Sequence, residues 1–248
     1  MYKKNLIISD NLEMATFFFD FVKSDEQYSV FDFDLSVSPY SNVKLFKEKI
    51  EKNVLSYNLK IENDVNDIVH NYDLVISIHS KQIFPPKLVN SLKCINVHPG
   101  YNPLNRGWYP QVFAIINQIP VGATIHEIDE ELDHGFIIDR VFVEKNSYDT
   151  SLTLYNKILQ SEKNLIIENL KSILTNSYKV IIPENIGSLY LKKDFNELCM
   201  LDLNEVGTFK SFYDKLRALT HGDYKNAFFI DEESGKKVYV SIDTKVES

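Results

Sequence analysis

Residues 5–22 read NLIISDNLEMATFFFDFV. Leu6-Ile7-Ile8 is a continuous apolar run between polar residues, which suits a strand buried on both faces, as in a parallel sheet. Ser9-Asp10-Asn11 then offers cap residues before Leu12 to Val22, whose apolar positions recur at helical spacing. Strand, polar turn and helix make the opening unit of an α/β fold. The free amides of a helix N-terminus at such a junction favour an anion, commonly a phosphate. No glycine-rich fingerprint is present, so a dinucleotide site of the usual kind is disfavoured. That Asp10 and Asn11 serve only as caps stands beside the ligand reading at even weight.

The pattern repeats downstream. A second strand is expected from Tyr28 to Leu35, a helix from about Val43 to Lys52, and a weak strand from Ser56 to Ile61. Asp73 to Ile78 is the next buried run, and it terminates in His79-Ser80-Lys81-Gln82. Ligands bind at the C-terminal ends of strands in open α/β sheets, so Ser9 to Asn11 and His79 to Gln82 are expected to line one crevice. Pro85-Pro86 starts a short helix through Leu92, and Lys93 to Val97 is another strong strand. Gly122 to Ile128 and Phe136 to Val143 alternate in β fashion, and Ser151 to Thr175 carries the apolar stripe of a long helix. The expected architecture is a Rossmann-like α/β fold, with a mostly parallel sheet, an antiparallel edge and flanking helices.

After residue 176 the pattern breaks. A helix is expected from Asn204 to Leu219, with Thr208 or Asn204 as its cap. Ala227 to Ile230 and Lys237 to Ile242 flank a turn and read as a hairpin. The division is thus 1–176 for a catalytic domain and 177–248 for a C-terminal extension. A two-stranded hairpin is marginal alone and must dock on its own domain or on a second copy, which brings in a homodimer.

With 248 residues, 44% of them hydrophobic, the chain can bury a full core. A net charge of -8 and a pI near 5.3 argue against a nucleic-acid partner, which needs clustered Lys and Arg. Cys94 and Cys199 lack metal-type spacing and read as reduced thiols, consistent with a cytoplasmic protein. The apolar run near the N-terminus is too short for a signal peptide, and no stretch approaches the roughly 20 apolar residues of a membrane span.

Chemistry is expected between Cys94 and Arg140, which holds three of the six histidines and the one tryptophan. Asn96 and His98 alternate with Ile95 and Val97, so both project from one face at the end of a strand. His126 interrupts an apolar alternating strand, and Asp133 follows in an acidic turn closed by Gly135. An amide donor, an imidazole and a carboxylate suffice for acyl transfer to an amine: a carbonyl is polarised, an oxyanion is stabilised and a proton leaves the attacking nitrogen. A metal held by His98, His126, Asp129 and Asp133 is the rival use, although their spacing matches no familiar zinc pattern. Singly, His79, His134 and His221 read as structural or solvated residues.

Four motifs together resemble the 10-formyltetrahydrofolate-dependent formyltransferases: Asn96-x-His98-Pro99, the Gly107 aromatic segment, Gly122-Ala123-Thr124-x-His126 and Asp133-x-Gly135-x-Ile137-Ile138. The resemblance covers roughly residues 3 to 175. It implies a catalytic triad of Asn96, His98 and Asp133, no metal, and a formylfolate flanked by Gln82, Ile83 and Phe84 on one side and Asp129, Glu130 and Leu132 on the other. The turn at Ser9-Asp10-Asn11 is shorter than in the nucleotide-synthesis enzymes of the family. That turn, residues 79–82 and 101–111, and the tail 217–227 look closest to the sugar N-formyltransferases that act on dTDP-linked amino-dideoxy hexoses.

The resemblance implies an acceptor amine on dTDP-4-amino-4,6-dideoxyglucose, for O-antigen or other surface polysaccharide. The 3-amino isomer, glycinamide ribonucleotide and tRNA are the alternatives. Ser9, Asp10, Asn11, His79, Lys81, Tyr101, Asn105, Arg106, Trp108, Tyr109, Gln111 and Thr124 are the expected acceptor contacts. Within that set, Asn11, Lys81 and Arg106 suit a pyrophosphate. Tyr101, Trp108 or Tyr109 suits a sugar face or thymine.

Overall fold

A computed structural model describes residues 1–50 and 52–247. In chain order its elements are β1 (Lys4–Ser9), α1 (Leu12–Ser24), β2 (Asp32–Val37), α2 (Val43–Lys49), β3 (Val54–Ser56), α3 (Glu62–Asn71), β4 (Leu74–Ile78), α4 (Pro86–Ser91) and β5 (Lys93–His98). There follow β6 (Arg106–Gly107), α5 (Pro110–Ile116), β7 (Gly122–Glu127), β8 (Ile137–Phe142) and α6 (Ser151–Leu174). The C-terminal part adds β9 (Leu189–Tyr190), α7 (Lys192–Cys199), α8 (Phe209–Leu219), β10 (Phe228–Ile230) and β11 (Lys237–Tyr239).

Seven strands form the main sheet in the order β3-β2-β1-β4-β5-β7-β8. The first five are parallel, while β7 and β8 run antiparallel at one edge. This is the expected Rossmann-like sheet. The chain winds outward from β1 through β2 to β3 and then crosses back to β4. The crevice at the C-terminal ends of β1 and β4 is therefore a topological switch point.

Apolar alternation decides which helix covers which face. Ile7, Ile76, Ile78, Ile95 and Val97 pack under α1, α5 and α6, whereas Leu6, Ile8, Val75 and Cys94 meet Val65 and Ile68 of α3 and Leu88 of α4. Thr150 caps α6 with a reciprocal bond to Thr153. Ala218 and Leu219 of α8, together with Phe195 and Cys199 of α7, join the first of these cores.

Several boundaries differ from the expectation. Tyr28 lies in a 3₁₀ turn capped by Asp25, so the second strand begins at Asp32. The third strand falls at Val54–Ser56, ahead of the expected 56–61. Helix α2 ends at Lys49, and the part of its expected length at residue 51 lies outside the described residues. Helix α3 was hidden by its polarity, since it buries only Val65 and Ile68; short, charged α7 was hidden likewise. Of the two caps considered for α8, Thr208 is used, accepting from the Ser211 N–H, and residues 204–207 precede the helix.

Candidate active site

Register brings the site together. Strand β5 pairs with β7 so that Asn96 lies opposite His126 and His98 opposite Thr124. Asp133 sits in the loop between β7 and β8 with φ +48°, a left-handed conformation that Asp tolerates better than most residues. Its side chain thereby reaches the end of β5. Asn96 Nδ2 donates to Asp133 Oδ1 at 3.0 Å, and Asp133 Oδ2 accepts from the Gly107 N–H at 2.9 Å. His98 Nδ1 stands 3.6 Å from Oδ2, and His126 Nε2 stands 3.5 Å from Oδ1.

The two imidazoles are oriented by backbone carbonyls. His98 Nε2–H donates to the Asn105 carbonyl at 2.8 Å, which leaves Nδ1 of the neutral ring unprotonated and facing Asp133. Gly100 makes room for this bond, because a Cβ there would stand 2.5 Å from His98 Nε2 and 2.6 Å from the Asn105 carbonyl oxygen. His126 donates Nδ1–H to the Glu127 carbonyl at 2.7 Å, so its Nε2 accepts from the Asn96 amide at 3.2 Å. Burial opposes ionisation of Asp133. The Gly107 amide, with His98 and His126 when their rings carry the extra proton, outweighs it and holds the carboxyl well below the usual carboxylate range.

A buried carboxylate beside an amide donor and an imidazole with a free nitrogen is equipped for acyl transfer to an amine. The formyl transferase model matches residues 28–170, more than half of the chain, and the N-formyltransferase dimerization C-terminal domain model matches residues 194–246. The chain belongs to the formyl transferase family. It is 51% identical over 178 residues to a dTDP-4-amino-4,6-dideoxyglucose formyltransferase of Mycobacterium bovis, covering 72% of this chain and 76% of the relative. Two solved structures are similar over 99% of both chains. A sugar N-formyltransferase from Shewanella has a TM-score of 0.94 at 38% identity, and a 4-N formyltransferase from Francisella tularensis has 0.92 at 41%.

In this formyltransferase several expected ligand contacts are already committed within the protein. Arg106 was expected at a pyrophosphate. It is 3% exposed, and its guanidinium donates to the carbonyls of Leu132 at 2.9 Å and Ile186 at 3.0 Å, so it braces the loop that carries Asp133. Asp10 accepts from Ser38, Ser41 and the Lys81 N–H, clamping two loops to the end of β1. Buried Thr124 joins the Gly100 carbonyl to the Asn102 N–H. Asn105 Oδ1 accepts from the Tyr101 N–H, Gln111 donates to Ser151, and Ser9 closes the turn at Asn11. Both ring nitrogens of His79 are taken, by Glu162 and Tyr155. These residues shape the crevice from behind.

Others remain open to it. Lys81, Ile83 and Trp108 are exposed, and Lys192 Nζ lies 5.6 Å from the Trp108 ring. Tyr101 is half-buried under the Arg140 guanidinium. Tyr109 turns inward, its ring 4.0 Å from that of Phe195, which favours packing over ligand contact. On the expected folate side, Gln82 bridges the Tyr57 carbonyl and the Leu59 N–H, while Phe84 is buried. Glu130 meets Asn90, and Asp129 pairs with His134 at 2.7 Å.

Two residues in the network were not among the expected site residues. His126 belonged to a motif and to the rival metal set but not to the expected site residues, and its signal was a histidine in an apolar strand. Glu162 had a clearer signal, a carboxylate on the apolar stripe of α6.

Proposed function

We propose that the enzyme transfers the formyl group of 10-formyltetrahydrofolate to the amino group of dTDP-4-amino-4,6-dideoxyglucose, in the synthesis of O-antigen or another surface polysaccharide. The observation that carries this reading is the convergence of Asn96, His98 and Asp133 at the end of β5. The acceptor is supported by the names of the Mycobacterium and Francisella proteins.

The amine lone pair attacks the formyl carbon and the carbonyl π electrons move to oxygen. Asn96 donates a hydrogen bond to that oxygen, and His98, whose Nε2–H is held by the Asn105 carbonyl, adds a second donor only when Nδ1 takes up a proton. The former ammonium nitrogen gives up a proton, which Asp133 steers to solvent directly or through one water. As the oxyanion collapses, the C–N10 bond breaks and N10 takes a proton. No covalent enzyme intermediate is required, because the amine is itself the nucleophile.

The formylfolate lies between residues 82–84 and 129–132. The nucleotide end of the acceptor lies toward Asn11, Lys81 and Trp108. A homodimer formed through residues 177–248 is supported by the match to the dimerization domain and by exposed Leu203, Val206 and Phe209. Among the described residues no helix is long and apolar enough to cross a membrane.

The deciding experiment is a formylation assay with the 4-amino and 3-amino dTDP-sugars side by side. Turnover of the 4-amino sugar at a kcat/KM at least tenfold higher is expected. Preference for the 3-amino isomer moves the acceptor assignment, and turnover of neither removes the sugar reading. Sedimentation velocity gives the mass of the dimer, and Phe209→Glu is expected to yield monomer.

A further inference from the structure

Glu162 stands where α6 calls for an apolar residue. It lies four positions from Ile158 and four from Ile166, both buried, and is itself 0% exposed. A carboxylate cut off from water is costly unless a partner compensates it. Both of its oxygens meet one atom, His79 Nε2, at 2.8 and 2.9 Å. His79 follows β4 with φ +57°. Strict alternation with Val75 and Ser77 would place its ring on the side of α3 and α4. The left-handed backbone instead accompanies a ring held by Glu162 and Tyr155, both on α6.

With the His79 ring neutral, the hydrogen bonds that follow have a single direction. A carboxylate only accepts, so His79 Nε2 carries the proton and Nδ1 of the neutral ring is an acceptor. Nδ1 lies 3.1 Å from Tyr155 Oη, whose hydrogen therefore points to it. Tyr155 Oη accepts in turn from Asn11 Nδ2 at 3.2 Å. At the far end, Asn11 Oδ1 accepts from the Met14 N–H at 3.1 Å, which fixes the orientation of the amide. The run Met14, Asn11, Tyr155, His79, Glu162 joins the start of α1, the end of β4 and the middle of α6. One Nδ2 hydrogen of Asn11 is left outside it, at the crevice between β1 and β4.

We infer that Glu162 is a positioning residue for the acceptor: acting through His79 and Tyr155, it holds the Asn11 amide with its remaining N–H toward the nucleotide-linked amino sugar. Glu162 touches no reacting atom. The inference rests on the acceptor reading above, so its test has one arm independent of turnover.

In that arm, ring ¹⁵N NMR of the folded wild-type protein reports the Nε2–H tautomer at His79. A His79 ring protonated at Nδ1, alone or together with Nε2, overturns the inference. In the kinetic arm, Glu162→Leu and Tyr155→Phe each raise the acceptor KM about fivefold or more, with kcat and the formylfolate KM within twofold of wild type. Glu162→Gln keeps an oxygen to accept from Nε2–H and is expected within twofold of wild type in all three constants. The double variant Glu162→Leu/Tyr155→Phe is no worse than the poorer single variant, because both break one run. An unchanged acceptor KM in both Glu162→Leu and Tyr155→Phe overturns the inference, as does a parallel rise in both KM values. Failure of the wild-type enzyme to formylate any dTDP-amino sugar sinks the acceptor reading instead, and the ring tautomer then decides whether the run exists.

Discussion

Asn96 Nδ2 lies 3.0 Å from Asp133 Oδ1 and 3.2 Å from His126 Nε2, so both amide hydrogens are taken before any substrate arrives. To polarise a formyl oxygen, the amide must release one of them. The bond to His126 is longer and joins neutral groups, whereas the bond to the carboxylate is charge-assisted and stronger. In the proposed reaction Asn96 therefore keeps Asp133 and turns its second hydrogen from His126 to the substrate. Asn96→Ala removes this donor and is expected to lower kcat about 10²- to 10³-fold, the usual cost of an oxyanion donor. Steady-state kinetics at saturating formylfolate check it; a loss confined to KM would reassign Asn96 to binding.

His126 in this scheme parks and aims the amide without touching the reacting atoms. Its replacement by Leu removes one neutral hydrogen bond, worth about 1 kcal/mol. His126→Leu should lower kcat roughly five- to tenfold, leaving both KM values close to wild type. A loss as large as that of Asn96→Ala would give His126 a direct catalytic role.

Asp133 titrates below its unfolded value of about 3.9, because the Gly107 amide, with His98 and His126 when their rings carry the extra proton, outweighs the burial that opposes ionisation. For a carboxyl whose folded pKa is depressed, the stabilisation is complete above the unfolded pKa and is lost as pH falls through the folded one. Asp133→Asn keeps the shape and the tolerance of a left-handed φ but removes the charge. Urea titrations should show the wild-type advantage over Asp133→Asn constant from pH 7 to about 5 and shrinking below about pH 4. Activity follows a different group. Asp133 stays ionised throughout the working range, so loss of kcat/KM in mild acid reflects other proton-binding groups, the acceptor amine first among them. An acid limb that disappeared in Asp133→Asn would contradict this.

The pairing of Asn96 with His98 was legible because two polar residues with a spacing of two at the end of an apolar run have no use in a core. Asp133 was legible from the glycine-closed turn beside it. The sheet followed from buried runs alternating with helices. What sequence could not give was the destination of long polar side chains. Arg106 has the right chemistry for a pyrophosphate site and Asp10 stands in the expected acceptor turn, yet their hydrogen bonds end on Leu132, Ile186, Ser38, Ser41 and Lys81, partners far off in sequence. His79 depended on a backbone dihedral that no periodicity reports. Glu162 broke the stripe of α6 visibly, but its partner lies 83 positions away.

Gly107 couples the C-terminal segment to the Asp133 carboxylate. Its N–H binds Asp133, and its φ of +92° is held by β6 pairing with β9. A Cβ at this position would stand 2.1 Å from the Tyr190 carbonyl oxygen, too close for the strands to stay paired. Gly107→Ala should therefore cost about 1–3 kcal/mol of stability through backbone strain. It should also lower kcat beyond that loss, because the N–H moves off Asp133. Comparing kcat at a temperature where wild type and variant are both fully folded separates the two effects.

Arg217 fastens α8 to the segment before α6 from inside. It is 2% exposed; Nε pairs with Asp214 at 2.7 Å, and Nη1 donates to the carbonyls of Asp149 at 2.8 Å and Asn146 at 3.3 Å. Those carbonyls lie just before α6, whose capping residue is Thr150, so one guanidinium organises two helix ends. Arg217→Leu leaves Asp214 with Lys210 and Gln118 as partners and strands the two carbonyls. Truncating one member of a buried pair costs about 3–5 kcal/mol. The remaining Lys210 contact puts the expected loss at the lower end, about 3 kcal/mol. Chemical denaturation measures it. Because the catalytic groups lie elsewhere, kcat per folded enzyme should stay within about threefold of wild type, well under the tenfold that 1.36 kcal/mol would give.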